Sequence, residues 1–539
     1  MSRPAALILA LLVAFLALVP GIAALPPLDR DESRFAQASK QMVETGDLVD
    51  IRFQNEPRYK KPVGAYWLQA ASAALLGADS ISSYRLPSLL AIAGSALVVA
   101  AMGALLFGGS TALLAGAIAS VTLIAALEAR QAKSDALLLF TVLLAQWALA
   151  KHYLAARAGA PRPGWGWRLL LWGALGAGIL VKGPITPMVA VATVLALSLL
   201  DRDWRWWRTA TPVWGPLLMA AIAAPWLVAI GIATKGAFFA EALGHDLGAK
   251  LAGGQESHGA PPGYYVLLLA LTAWPGALLL PRAIEFVRLN WRKPTVRFCA
   301  AWIVPCWLVF EAVPTKLPHY VLPLLPAVLL LVAAALAGVP EANPAPQWTR
   351  RLAAAVKYWV AFGALALGGV VLAAPLAVGA DATVLLLSVP AALLVWAASA
   401  LVWRGGLRAD RRMVFAGLGV SALALGVVFG LVGPALQPLW ISRDLAAMVR
   451  TASPAKPVFM AGYSEPSAIF LLGTATRTGS GADAAQALRD GSADLAAVAG
   501  DQDSAFQQAL AGTTVRRLGS VEGLNYSRGR KTTLTLYQK

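Results

Sequence analysis

Several stretches of this chain set carboxylates, cations and hydroxyls close enough in sequence to share a reaction. The first packs five charges into six residues, Asp29-Arg30-Asp31-Glu32-Ser33-Arg34, directly after an apolar run. The second reads Glu128-Ala129-Arg130-Gln131-Ala132-Lys133-Ser134-Asp135, and Lys182-Gly183-Pro184 interrupts what is otherwise one long apolar stretch. A segment over 233–262 holds His245 and His258, two of the four histidines, and Pro314-Thr315-Lys316-Leu317-Pro318-His319-Tyr320 joins two further apolar runs. A carboxylate in such a set can take the proton of an incoming hydroxyl, while lysine and arginine neutralise a departing phosphate. Placed together at one membrane interface, these groups suit a reaction on a lipid headgroup. Taken singly, each charge has an ordinary alternative as a helix-end anchor or topology signal, and each histidine reads as a loop residue before it reads as a metal ligand. The Asp29–Arg34 cluster stands apart. So dense a charge against an apolar helix is costly unless a neighbour or ligand uses it.

The scaffold that must position these groups is read from composition. Of 539 residues, 58% are hydrophobic and only 14% charged, with a mean hydropathy of +0.64. A soluble domain carries about a quarter charged residues, so disorder, a secreted disulfide scaffold and an ordinary cytosolic enzyme are excluded. Apolar runs able to cross about 30 Å of hydrocarbon recur at 5–25, 85–106, 110–126, 136–150, 168–181, 184–200, 212–232, 263–281, 298–313, 318–337, 358–378, 382–402 and 413–433. They predict about thirteen transmembrane helices. The first run is expected to be an uncleaved anchor, because its apolar core of about 20 residues is longer than a signal peptide needs. The two cysteines, Cys299 and Cys306, share one apolar run. On a helix they lie about 10 Å apart, too far to bridge, and read as packing thiols.

The net charge of +17 comes mainly from short basic clusters between apolar runs. That distribution orients a membrane protein rather than marking a nucleic-acid binder. With the N-terminus in the cytoplasm, the clusters Lys151–Arg168, Arg202–Arg208, Arg282–Arg297, Arg350–Lys357 and Arg404–Arg412 all fall on the cytoplasmic side. Loops on the opposite side are charge-balanced, and an odd number of spans leaves the C-terminus outside. The expected organisation is a membrane domain over 1–440, with a first outer loop at 26–84, and a small outer α/β domain over 441–539. Strand-like runs at Pro457–Tyr463, Ala493–Ala499 and Thr532–Tyr537 alternate there with helix-like Ala482–Arg489 and Gln502–Leu510, the rhythm of a small α/β unit. The 19 tryptophans fit an interfacial aromatic belt.

The motifs also carry a family resemblance. Asp31-Glu32-Ser33-Arg34-Phe35-Ala36, then Gly46-Asp47, then Lys61-Pro62-Val63-Gly64-Ala65-Tyr66-Trp67-Leu68 resemble the opening of the GT-C glycosyltransferases. Within that group the likeness is to the 4-amino-4-deoxy-L-arabinose transferases of lipid A and their protein O-mannosyltransferase-like relatives. Glu128-Ala129-Arg130 with Ser134-Asp135 is similar to the family's second-loop acidic motif, and Lys182-Gly183-Pro184 to its Lys-Gly-Pro turn. His258 with Tyr264-Tyr265 and Trp274-Pro275, then Lys316 to Pro323, resemble later family segments. The similarity runs in order over about residues 5–340.

The resemblance implies an α-helical polytopic membrane protein of GT-C type with a small C-terminal periplasmic α/β domain, set in the bacterial inner membrane with its active site on the periplasmic side. It implies a glycosyltransferase moving sugar from a polyprenyl (undecaprenyl) phosphate donor to a glycolipid, glycan or protein acceptor, lipid A and lipopolysaccharide among them. Asp31 and Asp135 match catalytic carboxylates; Arg34, Lys61 and Lys182 match cations for the donor phosphate. Glu32, Arg130, Lys133, His258, Lys316 and Tyr320 are further candidates. Relatives commonly carry an acid before the lysine of Lys-Pro-Pro, in some helping to hold a metal with the loop histidine. Here that position is Lys60, and a cation there argues against a metal at this site. No cofactor or metal ligand is assigned, with a divalent ion left open. Val63 replaces the second proline and Phe35 a tyrosine, which loosens the aminoarabinose-specific reading. A transporter or flippase of a lipid-linked sugar is the competing class; it calls for ionisable or unwound sites near the bilayer midplane, whereas these spans are almost empty of charge. A non-enzymatic assembly scaffold leaves the ordered motifs unexplained.

Overall fold

The computed structural model describes residues 12–242, 244, 259–338 and 346–539. His245 and His258 lie outside the described residues. Among those described, eight helices are long and apolar enough to cross a membrane, or ten when two bent pairs each count as one span. The expectation of about thirteen exceeds this length-based count, which takes in the described residues alone. The helices Trp165–Lys182 and Ile185–Asp201 do form where two of the runs were read. They are split at Gly183, whose φ of +64° suits glycine and ends the first of them.

Two other runs bend. Gly109–Ser120 and Leu123–Ala129 meet at 58°, and Tyr264–Thr272 and Gly276–Asn290 at 105°. A broken helix inside a bilayer must find partners for its freed backbone groups. Here the bends satisfy each other: the Leu123 amide donates to the Trp274 carbonyl at 2.9 Å. The first bend carries Glu128 and Arg130 to the end of the helix bundle. Both cysteines are free and buried on Pro294–Ala312.

The first polar loop folds into helix Asp31–Thr45, a short hairpin of β1 (Arg52–Phe53) and β2 (Glu56–Pro57), and helix Gly64–Leu76. Two acids, Asp31 and Glu32, open the first helix, where the positive end of the helix dipole favours them. Gly46 in the left-handed region closes it, donating to the Met42 carbonyl. Gly64 lets the second helix touch the segment that leads to Lys182: a Cβ there would sit 2.8 Å from the Leu180 carbonyl oxygen. Gly64→Ala is expected to force these backbones apart at about 1–3 kcal/mol. It should lower the unfolding temperature and displace Lys182; a wild-type melting curve and activity would show that the contact is dispensable.

Beyond the helices, strands β3 (Phe459–Ala461), β4 (Arg477–Gly479), β5 (Leu495–Ala499), β6 (Arg516–Asn525) and β7 (Arg530–Gln538) form one sheet. Its order is β4-β3-β5-β7-β6, with β3 parallel to β4 and β5, and β7 antiparallel to β5 and β6. All three strand-like runs read from the sequence are present. Alternation along β5 sends Leu495, Ala497 and Ala499 to one apolar cluster with Leu445 and Met460. Ala496 and Val498 go to the opposite cluster with Phe459, Leu488 and Phe506.

This unit sits on the first polar loop. The Asp29 amide donates to Tyr526 Oη at 2.7 Å, Arg30 Nη2 to the Ser527 carbonyl at 2.6 Å, and the Ser467 amide to Asp29 Oδ1 at 3.2 Å. Burial, aided by the charge of Glu465, pushes the Asp29 carboxyl up to about 6 against the hydrogen bonds from Ser467 and Tyr526. A raised carboxyl favours the folded state at acid pH, and that contribution is lost as pH climbs from about 4 through 6. Asp29→Asn keeps the acceptor for Ser467 without the buried charge. It should stabilise the protein above pH 6 by up to about 3 kcal/mol and by much less at pH 4. Thermal unfolding at both pH values checks this; an equal shift at each would contradict it.

Candidate active site

Two buried arginines hold the loops that carry the candidate residues. Glu32 accepts from Arg85 Nε and Nη2 at 2.7 and 2.8 Å, from the Leu28 amide at 2.8 Å and from the Ala132 amide at 3.0 Å. Arg85 places its remaining donors on the carbonyls of Ile22, Leu25 and Pro26. The side chains are 0% and 1% exposed. Through Ala132, Glu32 joins the first polar loop to residues 128–135; its oxygens are already engaged by protein donors. Arg130 donates to the carbonyls of Pro20, Ala126 and Ala17, with its guanidinium 4.5 Å from the Phe429 ring centroid. Lys316 donates to the carbonyls of Ala260 and Val313. The structure thus places Glu32, Arg130 and Lys316 in backbone-holding roles.

Lys133, Asp135, Lys182 and Tyr320 lie together with Glu128 and His319. Lys133 Nζ lies 3.0 Å from Glu128 Oε1, and Lys182 is hydrogen-bonded to Asp135. The His319 ring stands between the two acids, Nδ1 3.8 Å from Glu128 and Nε2 3.7 Å from Asp135. Glu128 Oε2 is buried without a hydrogen-bond partner. Lys182 also faces the Tyr320 ring, 5.5 Å from its centroid.

Asp31 completes the group from the start of its helix. It is solvent-accessible, and among the described residues its carboxylate makes no hydrogen bond or ion pair. Burial pulls this carboxyl upward, but Arg58, Lys133 and His319 outweigh burial and Asp135, leaving it below the usual aspartate value. Arg34 lies one turn further along, half-buried, and Lys61 is half-buried just ahead of helix Gly64–Leu76.

Two participants were not singled out from the sequence. His319 lay inside a recognised motif, but only the fold sets its ring between two acids from another loop. Arg58 precedes the Lys60-Lys61 pair and left no local signal. It is 7% exposed, its guanidinium is 5.2 Å from the Phe35 ring centroid, and Phe35 stacks on Tyr66 at 4.7 Å. Lys60 is exposed, and among the described residues no three His, Cys, Asp or Glu side chains are grouped to hold a metal ion.

A helical membrane bundle with polar loops joined at one end and a small α/β unit on top is the architecture of the GT-C class. ArnT from Cupriavidus metallidurans, solved bound to undecaprenyl phosphate, superposes with a TM-score of 0.74 at 18% identity over 99% of this chain and 97% of that one. The apo oligosaccharyltransferase of Archaeoglobus fulgidus gives 0.53 at 11% identity over 92% and 70%. Residues 60–228 match the family model described as dolichyl-phosphate-mannose-protein mannosyltransferase. The undecaprenyl phosphate-alpha-4-amino-4-deoxy-L-arabinose arabinosyl transferase of Pseudomonas aeruginosa is 32% identical over 309 residues, 56% of this chain and 54% of the relative. Its counterpart from Pectobacterium atrosepticum is 30% identical over 326 residues, 57% and 55% of the two chains. The chain thus has the fold of these solved structures, and a part of it, residues 60–228, is similar to the mannosyltransferase family model. It spans about half the length of the curated relatives it matches. Its polytopic build and bacterial relatives make it an integral protein of a bacterial inner membrane.

Proposed function

We propose that this protein transfers a sugar from undecaprenyl phosphate to an acceptor on the periplasmic side of the membrane, with lipid A or another envelope glycan as the acceptor class. Residues 1–440 form the membrane unit in this reading, and 441–539 an outer unit that rests on the first loop. The acceptor O–H attacks the anomeric carbon, a new carbon–oxygen bond forms, and the bond from that carbon to the donor phosphate breaks with its electron pair passing to phosphate. Asp31 takes the acceptor proton. Arg34, Lys61 and Lys182 neutralise the leaving phosphate, a charge-assisted role suited to them. Asp135, held by Lys182, orients that lysine and contributes the second carboxylate.

The observation that carries this reading is Asp31 itself: an accessible carboxylate that makes no hydrogen bond or ion pair among the described residues, beside acids that are already paired. A general base must be free to receive a proton. Purified protein supplied with undecaprenyl phosphate-linked aminoarabinose and lipid A should give a lipid A product heavier by one sugar, and envelope glycolipids from cells lacking the gene should lose that mass. No transfer to lipid A or to any envelope glycan, with the donor shown to bind, would reject the proposal.

A further inference from the structure

Among the described residues, Arg58 is a buried cation with no side-chain hydrogen bond and no ion pair. It is 7% exposed, and its Nε is buried without a hydrogen-bond partner. The other two buried arginines of the region behave differently: Arg85 places every guanidinium N–H on a carbonyl or on Glu32, and Arg130 donates to three carbonyls. A buried guanidinium without such partners is costly. Its surroundings fix it in place, with its charge against Phe35 and Phe35 stacked on Tyr66. The neighbouring charges say what is missing. Glu128 is paired with Lys133 and Asp135 with Lys182. The charge of Arg58 bears on the Asp31 carboxylate, but among the described residues no acid pairs with Arg58.

We propose that the Arg58 guanidinium binds a phosphate of the lipid substrate, either the donor's or the acceptor's. The inference rests on the glycosyltransferase reading and adds a residue to it. Phosphate oxygens accept the in-plane N–H groups that the protein leaves unmet, in the geometry that arginine offers better than lysine. Binding there also links substrate to chemistry. A phosphate that draws on the charge of Arg58 weakens that cation's hold on Asp31, so the carboxylate becomes more basic as the donor arrives.

The test compares wild type, Arg58→Gln and Arg58→Lys in detergent. Binding is measured for undecaprenyl phosphate and for undecaprenol, and transfer kinetics for lipid A and for dephosphorylated lipid A. If the donor phosphate is the ligand, Arg58→Gln weakens undecaprenyl phosphate by about tenfold or more and leaves undecaprenol unchanged. If the acceptor phosphate is the ligand, the KM for lipid A rises by a similar factor while that for the dephosphorylated form does not. Arg58→Lys, which keeps the charge but not the planar fork, should lose about three- to tenfold on the same ligand; it decides the matter if the glutamine variant does not fold. Affinities and KM within twofold of wild type in the folded variants overturn the proposal. Failure of the wild type to transfer sugar, measured in the same preparations, would instead reject the function on which it rests.

Discussion

Asp31→Asn should abolish sugar transfer while leaving the protein folded, inserted and able to bind undecaprenyl phosphate. Removing a positioned general base typically costs 10²–10⁴ in rate, and a loss of about a thousandfold in single-turnover transfer is expected here. The substitution suits the question because Asp31 is accessible and holds nothing in place. Asparagine has nearly the same shape, breaks no hydrogen bond, and removes a negative charge beside Arg58, so phosphate binding should hold or tighten. A drop in turnover with an unchanged melting temperature therefore reports chemistry. Retention of more than about a tenth of wild-type turnover, far above that range, would remove Asp31 from the mechanism. The field of Arg58, Lys133 and His319 keeps this carboxyl below its ordinary value, which means the empty enzyme holds it ionised at neutral pH. By the sign of that shift, stability from the ionised form is present above the unfolded aspartate value and is lost only as pH falls through the lower folded one. Asp31 should accordingly impose no loss of activity between pH 5 and 8.

The second large effect concerns Glu32, the next residue along. Glu32→Ala should destabilise the whole outer face, because it leaves Arg85 buried with two donors unmet and frees the Leu28 and Ala132 amides. Breaking a fully buried pair by removing one partner costs about 3–5 kcal/mol. Arg85→Met should cost as much from the other side. Both variants are expected to give little folded protein by size-exclusion chromatography, with a melting temperature well below wild type, and activity lost along with the fold. The contrast with Asp31 is the informative part. Neighbouring acids at the head of one helix should separate into a loss of rate without a loss of stability and the reverse. A stable, inactive Glu32→Ala would instead place Glu32 in the chemistry.

These two acids also mark where reading the chain alone stops. Their types and position after an apolar run were plain in the sequence, as were Lys133, Asp135 and Lys182, because hydrocarbon length and charge avoidance dictate which segments cross the membrane and where charges collect. Three of the five strands over residues 459–538 were legible for a similar reason, since strand patterning is local; β4 and β6 were not read. What one turn of helix does to adjacent side chains is not. Successive residues project about 100° apart, so Glu32 turns inward to Arg85, 53 positions away, while Asp31 faces solvent. Arg130 meets carbonyls 110 and 113 residues distant, and Lys316 one 56 residues distant; no local pattern announces either. The break at Gly183 was legible too, but the paired bends that meet where Leu123 donates to Trp274 divide runs that hydropathy alone reads as continuous. Composition and hydropathy pointed to a membrane-embedded chain, and motif order to its resemblance to the GT-C transferases. Whether a given charge braces the backbone or stays available to a substrate was decided by tertiary contacts, because a buried charge takes its role from the groups that satisfy it.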